Sequence, residues 1–226
     1  MFLRTALLVL RKDFAIEMKS LEVLLTTLFF AVSCVLVFAF AFVKDGRAPE
    51  DAAAGILWIA IAFAGTLALG RTFERERYGE TLRALLLAPA PRAALYVGKL
   101  LGMLALLGVA ETLLVPLVAL LFQASAWFSR PLLLLAILLG GTVGFAAVGT
   151  LFAAMLVRAR SRDVLLPILL YPITIPVIIG GVRGTAALLA SPADEAAATM
   201  WIGILFAFDA VFVTLALWTF EPLMTE

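Results

Sequence analysis

Apolar runs long enough to cross a bilayer occur six times along the chain, at about 21–43, 52–70, 95–122, 132–157, 164–182 and 199–220. A helix rises about 1.5 Å per residue, so about 20 residues cover about 30 Å of hydrocarbon. No run alternates in polarity as a membrane β-strand of about ten residues would, and lipid offers no partner to an open backbone. The pattern predicts an all-α polytopic membrane protein with six transmembrane helices. Ahead of the first run, Leu3, Leu7, Leu10 and Phe14 fall on one helical stripe, with Arg4, Arg11 and Lys12 off it. Residues 2–19 are therefore expected to form an amphipathic helix in the cytoplasmic interface. A basic tail that only orients the first span is the alternative. Arg11, Lys12, Asp13, Glu17 and Lys19 interrupt this stretch, which speaks against a cleavable signal.

Composition makes the membrane assignment firm. Of 226 residues, 64% are hydrophobic and 15% charged, where soluble domains carry about 45–50% and about 25%. The surplus must face lipid. Thirteen Lys and Arg residues lie before the first span and in the loops after the second and fourth, against four (Lys44, Arg47, Arg130 and Arg183) on the other side. Both termini are thus expected in the cytoplasm. A net charge of +1 excludes a strongly basic nucleic-acid binder. Cys34 is the only cysteine and histidine is absent, which removes disulfide frameworks, the commonest metal ligand and the usual haem ligand. Axial ligation would have to use Tyr, Met or Cys, with Cys34, Met103, Met155 and Tyr171 as isolated candidates, and no metal site, directly bound cofactor or catalytic residue is expected.

The longest loop on the basic side covers residues 71–99. Its first part alternates in charge at Arg71, Glu74, Arg75, Glu76 and Arg77, and Gly79 permits a sharp change of direction. Glu80 to Ala88 read as a short helix closed by Pro89 and Pro91. Leu82, Leu85 and Leu86 fall at i, i+3 and i+4 on it. The acids Glu74, Glu76 and Glu80 suit an anionic lipid surface poorly, which favours a groove on a protein partner over an interfacial helix with none. No GxxxxGK[ST] phosphate loop is present, since Gly98-Lys99 is followed by Leu100. Any ATP must be bound by another polypeptide.

Within the spans, Pro167, Pro172 and Pro176 each remove an amide donor, and lipid cannot satisfy the carbonyls they free. The fifth span is expected to be kinked and to face protein or water, as a moving hinge or as a fixed bend. Glu111 and Asp209 fall near mid-membrane, with no basic residue inside any span to pair them but Lys99 at the edge of the third. A carboxylate there costs a few kcal/mol unless protonated or wetted. A proton relay or polar cavity is one reading; two neutral acids bonded to backbone carbonyls freed by the prolines are the other. Gly140, Gly144 and Gly149 allow close helix approach, with a substrate groove as the alternative. Trp58, Trp127, Trp201 and Trp218 mostly fall near span ends, as interface anchors do.

Several of these segments carry a family resemblance. Gly55-Ile56-Leu57-Trp58, the run from Phe73 to Glu80, Leu85-Leu86-Leu87-Ala88-Pro89 and Gly98-Lys99-Leu100 resemble the membrane subunits of ABC exporters. Together with Gly140-Gly141-Thr142-Val143-Gly144-Phe145 and the stretch from Leu165 through Tyr171-Pro172-Ile173-Thr174-Ile175-Pro176, they resemble more narrowly the CcmB family, the B subunit of the haem exporter of cytochrome c maturation. The resemblance covers residues from about 10 to 180, and nothing is carried over after about 183. Where the family usually has an aspartate three residues after the loop phenylalanine, this chain has Glu76, which keeps the charge.

The resemblance implies a single exporter transmembrane domain over residues 1–226 in a bacterial inner membrane. It implies a coupling helix at 80–88 that docks on a cytoplasmic ATPase subunit, CcmA, with Phe73, Glu76, Gly79, Glu80, Leu82, Leu85 and Leu86 in the coupling region. Implied partners are a second copy of the chain, CcmC, CcmD and the haem chaperone CcmE. ATP would sit in the ATPase subunit and haem would be handled by the complex, through export of haem or release of the loaded chaperone. An ABC exporter of a lipid or drug, and a proton-coupled secondary transporter using Glu111 and Asp209, are the alternatives.

Overall fold

A computed structural model describes residues 2–42, 50–74 and 91–223. These form helices α1 (Phe2–Ser20), α2 (Glu22–Phe42), α3 (Glu50–Arg71), α4 (Arg92–Leu121), α5 (Pro131–Met155), α6 (Arg162–Ala187) and α7 (Glu195–Leu223), with short 3-10 turns at Ser125–Ser129 and Leu156–Arg158. Among the described residues there is no strand, and six helices are long and apolar enough to cross a membrane. The predicted runs correspond to α2 through α7, and the amphipathic stretch to α1. The main difference is the end of α6. The apolar run stops at 182 because Arg183 is charged, and Gly180, Gly181 and Gly184 are poor helix formers, yet the helix continues to Ala187. Tertiary packing overrides propensity there, since Gly180 faces Leu205 and Gly184 faces Ile137.

Helix α5 is the axis of the bundle, packed by α3, α4, α6 and α7. In α3 and α5, 67% of the most apolar stretch is buried, against 22% in α2 and 17% in α7. The outer helices turn residues such as Phe29, Phe40 and Trp218 outward, as lipid-facing helices do.

The α3–α5 seam is built from three interlocks that alternate in direction. Trp58 of α3 enters the notch at Gly141, Phe145 of α5 enters the notch at Gly65, and Leu69 of α3 enters the notch at Gly149. A Cβ at any of the three glycines would collide with its partner's side chain. Without a hydrophobic driving force between helices in lipid, close van der Waals fit of this kind carries the association. The Trp58 indole is also flanked by Gly181 of α6, so one side chain locks three helices. Two tryptophans thus depart from the expected anchor role. Trp58 is buried between helices, and Trp127 is buried with its Nε1 donating to the Thr185 carbonyl at 2.9 Å. Small residues opposite Trp58 open the slot it fills.

Helix α1 lies against α4 by its small face. At Gly98 a Cβ would sit 2.7 Å from Val9 Cβ and 2.8 Å from the Ala6 carbonyl. Leu3, Leu7 and Phe14 of the predicted stripe are exposed instead, and Ala6 and Val9 are buried. The chain turns from α1 into α2 at one residue, Leu21, whose φ of 50° lies in the left-handed region. The Glu17 carboxylate accepts the Leu24 amide at 2.8 Å and holds that turn.

Candidate functional site

The last turn of any helix leaves carbonyls without intrahelical donors. At the end of α3, from which the chain departs toward residues 75–90, cations from two other helices supply them. Lys99 of α4, only 3% exposed, donates to the Thr72 carbonyl at 2.9 Å. Its ammonium also lies 2.9 Å from Asp13 of α1 and 5.2 Å from the centroid of the Phe73 ring. Arg162 of α6, largely buried, donates from its guanidinium to the Gly70 carbonyl and reaches Asp163 at 3.3 Å. Both cations complement the negative end of the α3 dipole. Arg71 adds looser pairs to Glu22 at 3.5 Å and Glu74 at 3.4 Å. Phe73, 1% exposed, is clamped beneath Lys99. The end of α3 is therefore fastened to α1, α4 and α6 at once, immediately before the long basic-side loop begins.

A second polar level surrounds α5 at residues 141–144. Thr142 donates its hydroxyl to Glu111 of α4, and both side chains are buried. Gly144 faces Asp209 of α7, where a Cβ would lie 2.6 Å from the carboxylate oxygen and 3.0 Å from Val177 of α6. Asp209 is buried and neither of its oxygens has a hydrogen-bond partner. At about 100° per residue, Thr142 and Gly144 point to opposite flanks of α5. The two acids consequently do not meet, and no hydrogen bond among the described residues connects them. Glu111 is bonded to a hydroxyl and not to a carbonyl freed by a proline.

The prolines lie within an unbroken α6. Pro167 is half-buried, and Pro172 and Pro176 are exposed on this chain. Thr174, buried beside them, turns its hydroxyl back onto the Leu170 carbonyl at 2.9 Å.

Comparison with known proteins places this architecture. The sequence profile described as CcmB protein matches residues 4–222. The chain belongs to the CcmB family. Proteins named Heme exporter protein B are similar to it: one of Pseudomonas aeruginosa is 32% identical over 72% of this chain and 70% of its own length. One of Rhodobacter capsulatus is 32% identical over 68% and 69%, and one of Haemophilus influenzae 28% over 76% of each. The match also takes in the segment after residue 183 that motif reading alone left unassigned.

Of the coupling residues expected for a CcmB chain, Phe73 is seated in the α3 clamp, while Glu76, Gly79, Glu80, Leu82, Leu85 and Leu86, with the coupling helix at 80–88, lie outside the described residues. Sequence reading missed Lys99, Arg162 and Asp13, which it treated only as loop or interfacial charges. The available signal was position: Lys99 follows Gly98 inside the apolar run from Ala93 to Leu107, where a charge without a partner is costly.

Proposed function

We propose that this chain is the membrane subunit of a haem exporter in cytochrome c biogenesis, driven by ATP hydrolysis in a separate cytoplasmic subunit. Kinship to chains named Heme exporter protein B carries the reading. In it, a CcmA-like ATPase engages residues 80–88, and a second copy of the chain with CcmC-, CcmD- and CcmE-like proteins completes the complex in the bacterial inner membrane, both termini cytoplasmic. The chain itself supplies no catalytic residue and holds neither ATP nor haem.

Force entering at residues 75–90 meets the α3 clamp first. Because Lys99 and Arg162 tie the last α3 carbonyls to α4 and α6, a displacement of α3 carries its neighbours with it. Trp58 then passes it to α5 and α6 through the glycine notches. The outcome is haem export or release of a haem-loaded chaperone on the far side.

Co-purification tests the reading. With the ATPase co-expressed, the wild-type chain is expected to retain it, and Leu82→Glu, Leu85→Glu and Leu86→Glu together are expected to lose it. Retention of the ATPase by the triple variant removes the docking helix. Transport by the chain alone, sensitive to Glu111→Gln, would favour the proton-coupled alternative. A second result concerns α6: Pro172→Ala with Pro176→Ala restores two amide donors and is expected to stiffen the helix, leaving ATP turnover in place while cytochrome c yield falls. An unchanged yield assigns the prolines to a fixed bend.

A further inference from the structure

Contacts with α4 fix the depth of α1. Ala6, Val9, Leu10 and Asp13 all meet α4 between Gly98 and Gly102, so α1 crosses α4 instead of running along it. The 30 residues of α4 cover about 45 Å, about 15 Å more than a hydrocarbon layer of roughly 30 Å. Gly98 lies about 9 Å from the start of α4, where the surplus at that end runs out. Helix α1 therefore lies at the edge of the hydrocarbon layer, with one flank against α4.

Arg4 and Arg11 stand away from that flank. At about 100° and about 1.5 Å per residue they share one face, about 10 Å apart along the axis. Both are exposed, and neither forms a hydrogen bond or an ion pair among the described residues. The nearby acids are engaged elsewhere. Asp13, about half a turn round α1 from both arginines, meets Lys99 at 2.9 Å, and Glu17 accepts the Leu24 amide. Glu22 and Glu74 face Arg71 at the end of α3. Between the arginines and the α4 flank runs the stripe of Leu3, Leu7, Phe14 and Met18, all exposed.

We propose that α1 binds anionic glycerophospholipids, with Arg4 and Arg11 holding headgroup phosphates and the stripe inserted among the adjoining acyl segments. A planar guanidinium takes two phosphate oxygens at once, and an apolar stripe edged by cations is what an anionic bilayer surface attracts. An acidic protein segment would answer the two cations and leave the stripe unmatched.

The full-length chain in palmitoyl-oleoyl-phosphatidylcholine nanodiscs, doped with phosphatidylglycerol carrying a photoreactive diazirine beside its phosphate, tests this. Segment 2–19 of the wild type is expected to be labelled. Arg4→Gln with Arg11→Gln is expected to lower that labelling about tenfold, the loss of two cations at an anionic surface. Arg4→Lys with Arg11→Lys should keep most of it, and a matching phosphatidylcholine probe should label all three proteins alike. Because neither arginine bonds within the chain, both variants should melt with the wild type. Equal phosphatidylglycerol labelling of the wild type and the glutamine variant overturns the proposal. So does an unlabelled segment 2–19 in the wild type, the result expected if protein covers this face.

Discussion

Gly141→Leu is expected to be the most damaging single change in the bundle. Even a Cβ at this position collides with the Trp58 indole, which Gly181 blocks from behind. The ring has no room to retreat, so α3 must separate from α5, and overpacking of this kind costs about 1–3 kcal/mol or more. Trp58→Ala errs in the other direction: it empties a slot between three helices at a cost of about 3–5 kcal/mol. The two defects are complementary. Thermal melts in detergent are expected to show both single variants well below the wild type and the double variant above the sum of the two losses, because contacting residues couple. Strict additivity would mean that the indole does not occupy the notch.

Lys99→Met is expected to act elsewhere and to separate stability from function. It removes the donor to the Thr72 carbonyl, one partner of Asp13, which keeps Lys12, and the cation over Phe73. Removing one member of a buried pair costs about 3–5 kcal/mol; with Asp13 27% exposed, water takes over part of that load and the lower end applies. The freed end of α3 should exchange its amide hydrogens faster while α5 stays protected. If force enters through residues 75–90, ATP turnover would then continue without cytochrome c maturation. Maturation at the wild-type rate would show that the clamp is not on the route. Lys99→Arg, which keeps the charge, should recover part of the loss.

How much of this was legible beforehand depends on what each residue touches. The six spans and α1 follow from hydropathy and charge placement, since a segment without water must bond its own backbone. The glycines of α5 announce close packing, but not with whom: nothing in the order of residues says that Trp58 meets Gly141, or that Leu69 and not a polar group fills Gly149. Acid placement fared similarly. Glu111 and Asp209 stand out as intramembrane carboxylates, whereas their separation by α5 depends on a rotation of about 200° between Thr142 and Gly144 that only the assembled bundle fixes. Lys99 was visible as a cation in an apolar run, yet its partners come from residues 13 and 72. Long-range pairings of this sort leave no local pattern.

Because α3, α5 and α6 close around one indole, those helices form a single unit of exchange. A chimaera that swaps α5 between distant relatives should fail to assemble unless α3 and α6 travel with it. By contrast α2, which presents most of its surface to lipid, should tolerate replacement by itself, whereas α7, whose Leu205 and Asp209 seat against Gly140, Gly180 and Gly144, should not.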